Sequence, residues 1–202
     1  LFNAPQPELT FLPLGIVSEE AGDNPSDRFG AGALARWREK ARVGILYAAF
    51  LDPAFCRALG HGIGRGGEQA FGTGTLRFTA GAGYASFADA LDEEVRQTPM
   101  EQTNTGVFFG SRLYMKSYRR LQPGINPELE MGLFLSASAF SRIAAVAGSI
   151  EYVAAGGTVA AVVMLQEFVD NQGNAWDYTL NHLERLFAPD IWPATADGGE
   201  IE

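Results

Sequence analysis

One lysine near the middle of the sequence could bind a phosphate group, and two glutamates follow it at a spacing that would let one of them orient the lysine. Lys116 lies in an apolar run that predicts a strand, and Glu128 and Glu130 follow in the first turns of a helix predicted to begin at Asn126-Pro127. An opposite charge about 4 Å away contributes about 4 kcal/mol at an effective dielectric constant near 20, which is enough to set a lysine's direction. Spacing alone leaves open which glutamate pairs with Lys116.

Small and hydrogen-bonding residues precede this lysine at a predicted turn, Gln102 to Gly106. A nucleotide triphosphate needs a flexible backbone lid, one cation on a rigid strand, and a group that holds this cation in place. The predicted order of hairpin, helix and two further strands supplies these parts. A lysine on a strand with a glutamate on a helix is also common in proteins without that function. The residues alone therefore indicate compatibility with a nucleotide-binding lobe and no more.

The elements that would position these residues change in character near residue 100. Upstream, hydrophobic spacing and capping residues predict a strand over 10–17 bent at Pro13, a helix over 31–50, a short helix from Asp52-Pro53 to about Leu59, a strand over 76–79 and an acidic helix over 86–95. Downstream, turn signals and spacing predict a hairpin over 107–117, a helix from Asn126 to about Ser136, a second hairpin over 150–165 and a helix over 174–187. The pattern predicts an α+β fold.

The composition argues against several classes of function. The 202 residues include 24 acidic and 15 basic side chains, which gives a net charge of −9 and disfavours nucleic acid and anionic membrane surfaces as partners. No apolar run reaches the length of a membrane-spanning helix, and no signal segment opens the sequence. The single cysteine, Cys56, cannot form an internal disulfide, which fits a cytoplasmic location. Because the sequence lacks an initiator methionine, we expect it to be a piece of a longer protein.

Three other groups of residues could do chemistry, and each has a simpler structural interpretation. The segment from Gly62 to Gly67 has the composition of a phosphate loop, but it follows a predicted helix rather than a strand, which favours a flexible connector. Cys56 is predicted to be a buried structural thiol, because no histidine stands near it in the sequence. The acidic residues from Asp89 to Glu94 are predicted to form a solvated helix face rather than a metal site.

The stretch from Leu113 to Gly132 resembles the N-terminal lobe of bacterial maltokinases, which are found free or fused to trehalose synthase and belong to the aminoglycoside-phosphotransferase and protein-kinase-like superfamily. Five other segments are similar to this lobe or to the cap subdomain before it: Gln102–Thr105, Leu165–Val169, Asn171–Leu180, Phe11–Leu14 and Ala41–Leu46. The resemblance implies a cap subdomain over 1–100, a kinase-like ATP-binding lobe with an antiparallel sheet and one helix over 101–188, and a flexible tail over 189–202.

The resemblance also implies roles for individual residues. The phosphate loop would include Gln102, Thr103, Asn104 and Thr105. Lys116 would contact the α- and β-phosphates of ATP, and Glu130 would orient it. A hinge whose backbone pairs with adenine would consist of Gln166, Glu167, Phe168 and Val169. The family commonly has serine at the positions of Thr103 and Gly106, and Asn-x-Gly-Asp-Gly-Trp where this chain has Asn171-Gln172-Gly173-Asn174-Ala175-Trp176, so phosphate and sugar contacts would differ.

The activity implied is the ATP- and Mg²⁺-dependent phosphorylation of maltose to maltose 1-phosphate in trehalose and glycogen metabolism, with trehalose synthase as a fused or associated partner. The catalytic base and the Mg²⁺ ligands would come from a helical C-terminal lobe with a His-x-Asp loop. Neither His61 nor His182 begins such a loop, so we expect that lobe to be absent and the isolated chain to be inactive. Two alternatives stay open: a non-catalytic nucleotide- or protein-binding module, and a kinase of another sugar such as an aminosugar.

Overall fold

Antiparallel strands and three α-helices make up the described part of the chain. The computed structural model describes residues 8–19, 29–98, 104–138, 140–170, 173 and 175–187. Every strand pairing among these residues is antiparallel. This mixed α/β architecture agrees with the α+β class expected from the sequence.

The elements follow one another in a strand-rich order. The strands are β1 (Leu9–Thr10), β2 (Leu14–Ser18), β3 (Ala33–Glu39), β4 (Arg42–Ala48), β5 (Gly67–Phe71), β6 (Gly74–Ala80), β7 (Val95–Gln97), β8 (Asn104–Phe109), β9 (Leu113–Tyr118), β10 (Arg120–Leu121), β11 (Val146–Val153) and β12 (Val159–Glu167). The helices are α1 (Pro53–Arg65), α2 (Pro127–Ala137) and α3 (Ala175–Leu186). Short 3-10 turns span Gly30–Gly32, Ala49–Leu51, Tyr84–Ser86 and Ala88–Asp92.

The main layer is a seven-stranded sheet in the order β5-β6-β11-β12-β9-β8-β7. The two hairpins expected downstream of residue 100 are confirmed as β8–β9 and β11–β12, and they pair with each other through β9 and β12. Strands from both sides of residue 100 belong to this one sheet, because β5, β6 and β7 precede it in the chain. The cap subdomain over 1–100 and the kinase-like lobe over 101–188, which the resemblance implies, stay a prediction.

The helix expected over residues 31–50 is wrong, because this segment forms the hairpin β3–β4. The hairpin pairs with β2 in a separate three-stranded sheet of order β2-β4-β3. Ile45 and Tyr47 alternate into a small core, where Tyr47 stacks on Phe29 with ring centroids 3.8 Å apart. The period of two in β4 and its pairing on both sides outweigh the helical spacing of the apolar residues.

Helix α1 begins where expected and ends later. Asp52 caps it, since its Oδ1 accepts a hydrogen bond from the Ala54 N–H at 2.8 Å. The predicted end near Leu59 is wrong, because the helix continues through its glycines to Arg65. A Cβ at Gly60 would collide with the side chain of Leu91, so this glycine allows the helix to pack closely rather than ending it. Gly62 and Gly64 therefore lie within α1, and the flexible connector expected over residues 62–67 is wrong, because only Gly66 separates α1 from β5.

The acidic helix expected over 86–95 is also wrong, since this segment forms two 3-10 turns and then β7. Ala90 and Leu91 of this segment are fully buried. They pack beneath α1 in the core that lies between this helix and one face of the large sheet. The opposite face of the sheet carries α2, whose Gly132 lies against Val146.

The chain divides after Phe168 into two units, residues 1–168 and 169–202. In the second unit, α3 confirms the helix expected over 174–187. Its Trp176, Leu180 and Leu183 recur at helical spacing and share one side. No helix among the described residues is both long and apolar enough to cross a membrane.

Candidate functional site

Lys116 lies on a face of the large sheet that we call the lysine face. Side chains alternate between the two faces of the sheet along each strand. The registers of β8, β9 and β12 therefore show which residues share this face with Lys116. Its members are Asn104, Gly106, Phe108, Tyr114, Lys116, Tyr118, Met164 and Gln166. Gly106 of β8 and Met164 of β12 stand on either side of Lys116. The lysine thus projects from the middle of a three-strand platform.

The ammonium of Lys116 is held by both oxygens of one carboxylate. Its Nζ lies 2.8 Å from Oε1 and 2.6 Å from Oε2 of Glu128, the second residue of α2. The side chain of Lys116 is 23% exposed and that of Glu128 is 48% exposed, so water reaches the pair from the glutamate side. The glutamate that the spacing left undecided is therefore Glu128.

Tyr118 is a third member of this cluster that sequence reasoning missed. Its hydroxyl donates to Oε2 of Glu128 at 3.0 Å, and the Lys116 ammonium lies 5.3 Å from the centre of its ring. Burial, followed by the negative charge of Glu128, raises the pKa of the Tyr118 hydroxyl. The hydroxyl therefore stays protonated and donates. The alternation of side chains along a strand could have identified this residue, since Tyr118 lies two positions after Lys116 and therefore shares its face.

The remaining residues expected to bind phosphate are only partly brought together. Glu130 is exposed and lies two positions beyond Glu128, a spacing that turns it away from Lys116 around the helix. Thr105 stands opposite Ser117, so alternation directs it to the other face of the sheet. Asn104 is on the lysine face, opposite Tyr118. Gln102 and Thr103 lie outside the described residues.

A polar cavity of about 330 Å³ opens at the end of β9. Three amide side chains, one hydroxyl and one guanidinium line it: Asn104, Gln122, Asn126, Tyr118 and Arg120. Arg120 also pairs with Glu8 at 3.1 Å. The cavity begins next to the Lys116–Glu128 pair because Tyr118 belongs to both. Amides and a guanidinium are suited to binding hydroxyl or anionic groups.

The predicted hinge consists of the last two residues of β12 and the two that follow, and the N–H groups of Glu167 and Phe168 are used within the chain. The N–H of Glu167 donates to the Ala145 carbonyl, and the N–H of Phe168 donates to the Arg112 carbonyl, each at 2.8 Å. Gln166 lies on the lysine face, opposite Tyr114. Phe168 meets the ring of Phe108 edge to face, with centroids 5.0 Å apart. Val169, the last predicted hinge residue, is about half exposed and belongs to the second unit.

Among the acidic residues of segment 89–94, Asp89 and Glu93 form ion pairs with Arg112, and Asp92 contacts His61. Asp89 accepts from Arg112 Nη1 at 2.7 Å, and Asp92 lies 3.3 Å from His61 Nε2. The hydrogen bond from Arg112 lowers the pKa of Asp89. Among the described residues, no group of three or more histidine, cysteine, aspartate or glutamate side chains could hold a metal ion.

Cys56 is a buried structural thiol, as expected. It is fully buried, and its Sγ lies 3.3 Å from the Phe50 carbonyl. Burial raises the pKa of this thiol to about 12, so the reactive thiolate is disfavoured at neutral pH.

The cluster of Lys116, Glu128 and Tyr118 supplies one oriented cation beside a polar cavity. Such an arrangement can bind an anion and direct it, but it contains no activated nucleophile and no base aimed at a substrate. A comparison with models of known protein families gives no match for this chain.

Proposed function

We propose that this chain is the nucleotide-binding part of an ATP-dependent sugar kinase of the maltokinase type. The observation that carries the proposal is the contact of Lys116 on a central strand with both carboxylate oxygens of Glu128 on the next helix. Protein kinases use such a pair, in which a strand lysine contacts the α- and β-phosphates and a helix glutamate orients it. In this proposal Glu128 takes the role that the resemblance gives to Glu130.

The surroundings of Lys116 favour the phosphates of ATP as the bound group. Gly106 lies directly across from Lys116, and the side chains of Tyr114 and Thr98 occupy the space that a Cβ there would fill. Lys116 uses two of its three ammonium donors on the two oxygens of Glu128, so one donor remains for a further acceptor. The N–H groups of Glu167 and Phe168 are already bonded, so the proposal rests on phosphate binding and not on the hinge.

The chemistry assigned to this chain is binding and orientation. Bound Mg²⁺ would neutralise charge on the β- and γ-phosphates, and the proposal assigns no described residue as its ligand. The carboxylate that accepts the proton of the sugar hydroxyl is likewise assigned to residues outside this sequence. The isolated chain is then expected to bind ATP without transferring phosphate. Maltose as the sugar and a cytoplasmic location follow from the resemblance and the composition.

The chain offers a direct test because it has two lysines, Lys40 and Lys116. An adenosine analogue with an amine-reactive sulfonyl fluoride in place of the phosphates is incubated with the 202-residue chain, and the labelled peptides are identified by mass spectrometry. We expect labelling of Lys116 that excess ATP prevents, and slower labelling of Lys40 that ATP leaves unchanged. Equal labelling of both lysines, or labelling of Lys116 that ATP does not affect, would refute the proposal.

A binding measurement tests the same proposal without covalent chemistry. Fluorescent ATP is titrated with the wild-type chain, with Lys116→Ala and with Lys40→Ala as the matched control, and circular dichroism checks the fold of each. Lys116→Ala should weaken binding at least about tenfold, as expected for loss of a charge-assisted phosphate contact. Lys40→Ala should bind as the wild type does. Unchanged binding by a folded Lys116→Ala chain would refute the proposal, and would favour a binding module of another kind.

A further inference from the structure

Strand β5 is an edge of the large sheet, and all five of its residues are exposed. Natural proteins usually protect such an edge with proline, lysine, a bulge or a covering segment. The register of β5 with β6 continues without a bulge, and Glu68 is the one charged residue in the strand. Within the described part of the chain, β5 therefore has an edge that can pair with a further strand.

The hairpin geometry decides which backbone groups of β5 face outward. The two-residue turn Gly72-Thr73 closes on the pair Phe71–Gly74. A closing pair of this kind exchanges both hydrogen bonds, and the pattern repeats every second residue toward Gly67. The N–H and C=O groups of Glu68 and Ala70 therefore point away from β6.

A cavity of about 350 Å³ lies beside the beginning of β5. Its apolar wall is formed by Phe55 and Leu59 of α1 and by Phe78 of β6, and Gly67 borders it without a side chain. Phe71 lies at the other end of the strand on the same face, since it is four positions from Gly67. Its side chain is 50% exposed. One end of β5 thus offers an aromatic ring, and the other offers a cavity with one apolar wall, whose remaining lining includes Arg65, Glu68 and Gln69.

We propose that two copies of this chain associate through their β5 strands, antiparallel about a two-fold axis at Gln69. In this register Glu68 of each copy exchanges two hydrogen bonds with Ala70 of the other, using the groups that face outward. Gly67 then lies opposite Phe71 of the second copy, whose ring enters the neighbouring cavity. The same contact forms twice, and each contact covers the exposed half of a phenylalanine side chain.

A second copy fits this edge because the surface is complementary to itself. A two-fold interface uses the same patch on both subunits, so the ring and the cavity must lie on one patch at matching distances from the axis. Gly67 and Phe71 are each two residues from Gln69, which meets this condition. Within each copy Arg77 Nε holds Glu68 at 3.0 Å, which reduces the repulsion between the two Glu68 carboxylates.

The interface is small, so the association should depend on concentration. Two five-residue strands and two aromatic rings lie at the low end of interface sizes, where complexes are weak and transient. Sedimentation velocity of the 202-residue chain from about 1 to several hundred micromolar should show a mass that rises from monomer toward dimer, the range expected for a weak interface. A monomer throughout this range would overturn the proposal.

Substitution of the ring tests the docking into the cavity. Phe71→Ser should weaken association at least about tenfold, since a buried phenylalanine ring is lost from each copy. Ile125→Ser is the matched control, because Ile125 is 73% exposed in the loop before α2 and lies outside β5. Association of folded Phe71→Ser as strong as that of the wild type would also overturn the proposal.

Disulfide trapping tests the register independently. The two Gln69 residues would form a non-hydrogen-bonded pair with Cα atoms about 4.5 Å apart, within the range that a disulfide spans. Gln69→Cys should therefore form a covalent dimer in mild oxidant, whereas Thr73→Cys in the exposed turn should not. Native Cys56 is buried and should stay reduced in both variants. Failure of Gln69→Cys to cross-link, or equal cross-linking of Thr73→Cys, would reject this register.

Discussion

The exchange of Glu128 for glutamine should separate the role of this residue in binding from its role in stability. Glu128 holds Lys116 through both carboxylate oxygens, but it is 48% exposed. Ion pairs that water reaches contribute about 0.2–1 kcal/mol to folding. We therefore expect Glu128→Gln to lower the free energy of unfolding by less than about 1 kcal/mol. The ammonium of Lys116 loses its oriented partner, and ATP affinity should fall several-fold.

Glu130→Gln is the matched control for this change. Both glutamates are exposed in the first turns of α2, so both exchanges alter the helix-dipole interaction and the net charge in the same way. Urea denaturation gives the free energy of unfolding, and titration with fluorescent ATP gives the affinity. Only Glu128→Gln should weaken ATP binding. Equal affinities of the two variants, or weaker binding by Glu130→Gln, would refute the assignment of Glu128 as the partner that orients Lys116.

Three further predictions concern the stability of the fold. Tyr118→Phe should lower the free energy of unfolding by about 1 kcal/mol in urea because a hydrogen bond is lost; this effect should vanish in a Glu128→Ala background, and its persistence there would contradict the assigned bond. Asp52→Ala should cost about 1 kcal/mol by the same assay, because the Ala54 N–H at the start of α1 loses its cap. Burial raises the pKa of the Cys56 thiol from 9.0 to about 12. The stability that the buried neutral thiol contributes should therefore be complete below about pH 9 and lost as pH rises toward 12. Native protein at pH 8 should resist iodoacetamide until it unfolds, and labelling as fast as that of a free cysteine would argue against burial.

Local signals in the sequence were sufficient where the turn or cap residues were distinctive. Asn126-Pro127 marked the start of α2, and Asn126 Oδ1 does accept from the Leu129 N–H at 3.1 Å. The turn of the β3–β4 hairpin has no such mark. Lys40 there adopts a positive φ of 55° without being glycine, asparagine or aspartate. Without a turn signal, the spacing of the apolar residues between 31 and 50 was interpreted as helical.

Glycine was the other source of error, because its two structural uses look alike in a sequence. In the sequence, the glycines from Gly60 onward predict that the helix ends near Leu59. Gly60 and Gly64 instead lie where Leu91 and the ring of Tyr84 approach the helix too closely for a Cβ. Close packing between distant segments outweighs the helix propensity of about 1 kcal/mol that each glycine gives up. Only the tertiary structure shows which use applies.

The choice between Glu128 and Glu130 depended on the same kind of long-range information. Both residues follow one helix cap, and the orientation of α2 above β9 decides that Glu128 meets Lys116. This pair adds little to stability, because Glu128 remains half in water. A hydrophobic residue at position 116 would pack between Gly106 and Met164 without desolvating a charge. A lysine at this position, aligned by a carboxylate that Tyr118 in turn holds, therefore fits the proposed role in phosphate binding better than a role in stabilising the fold.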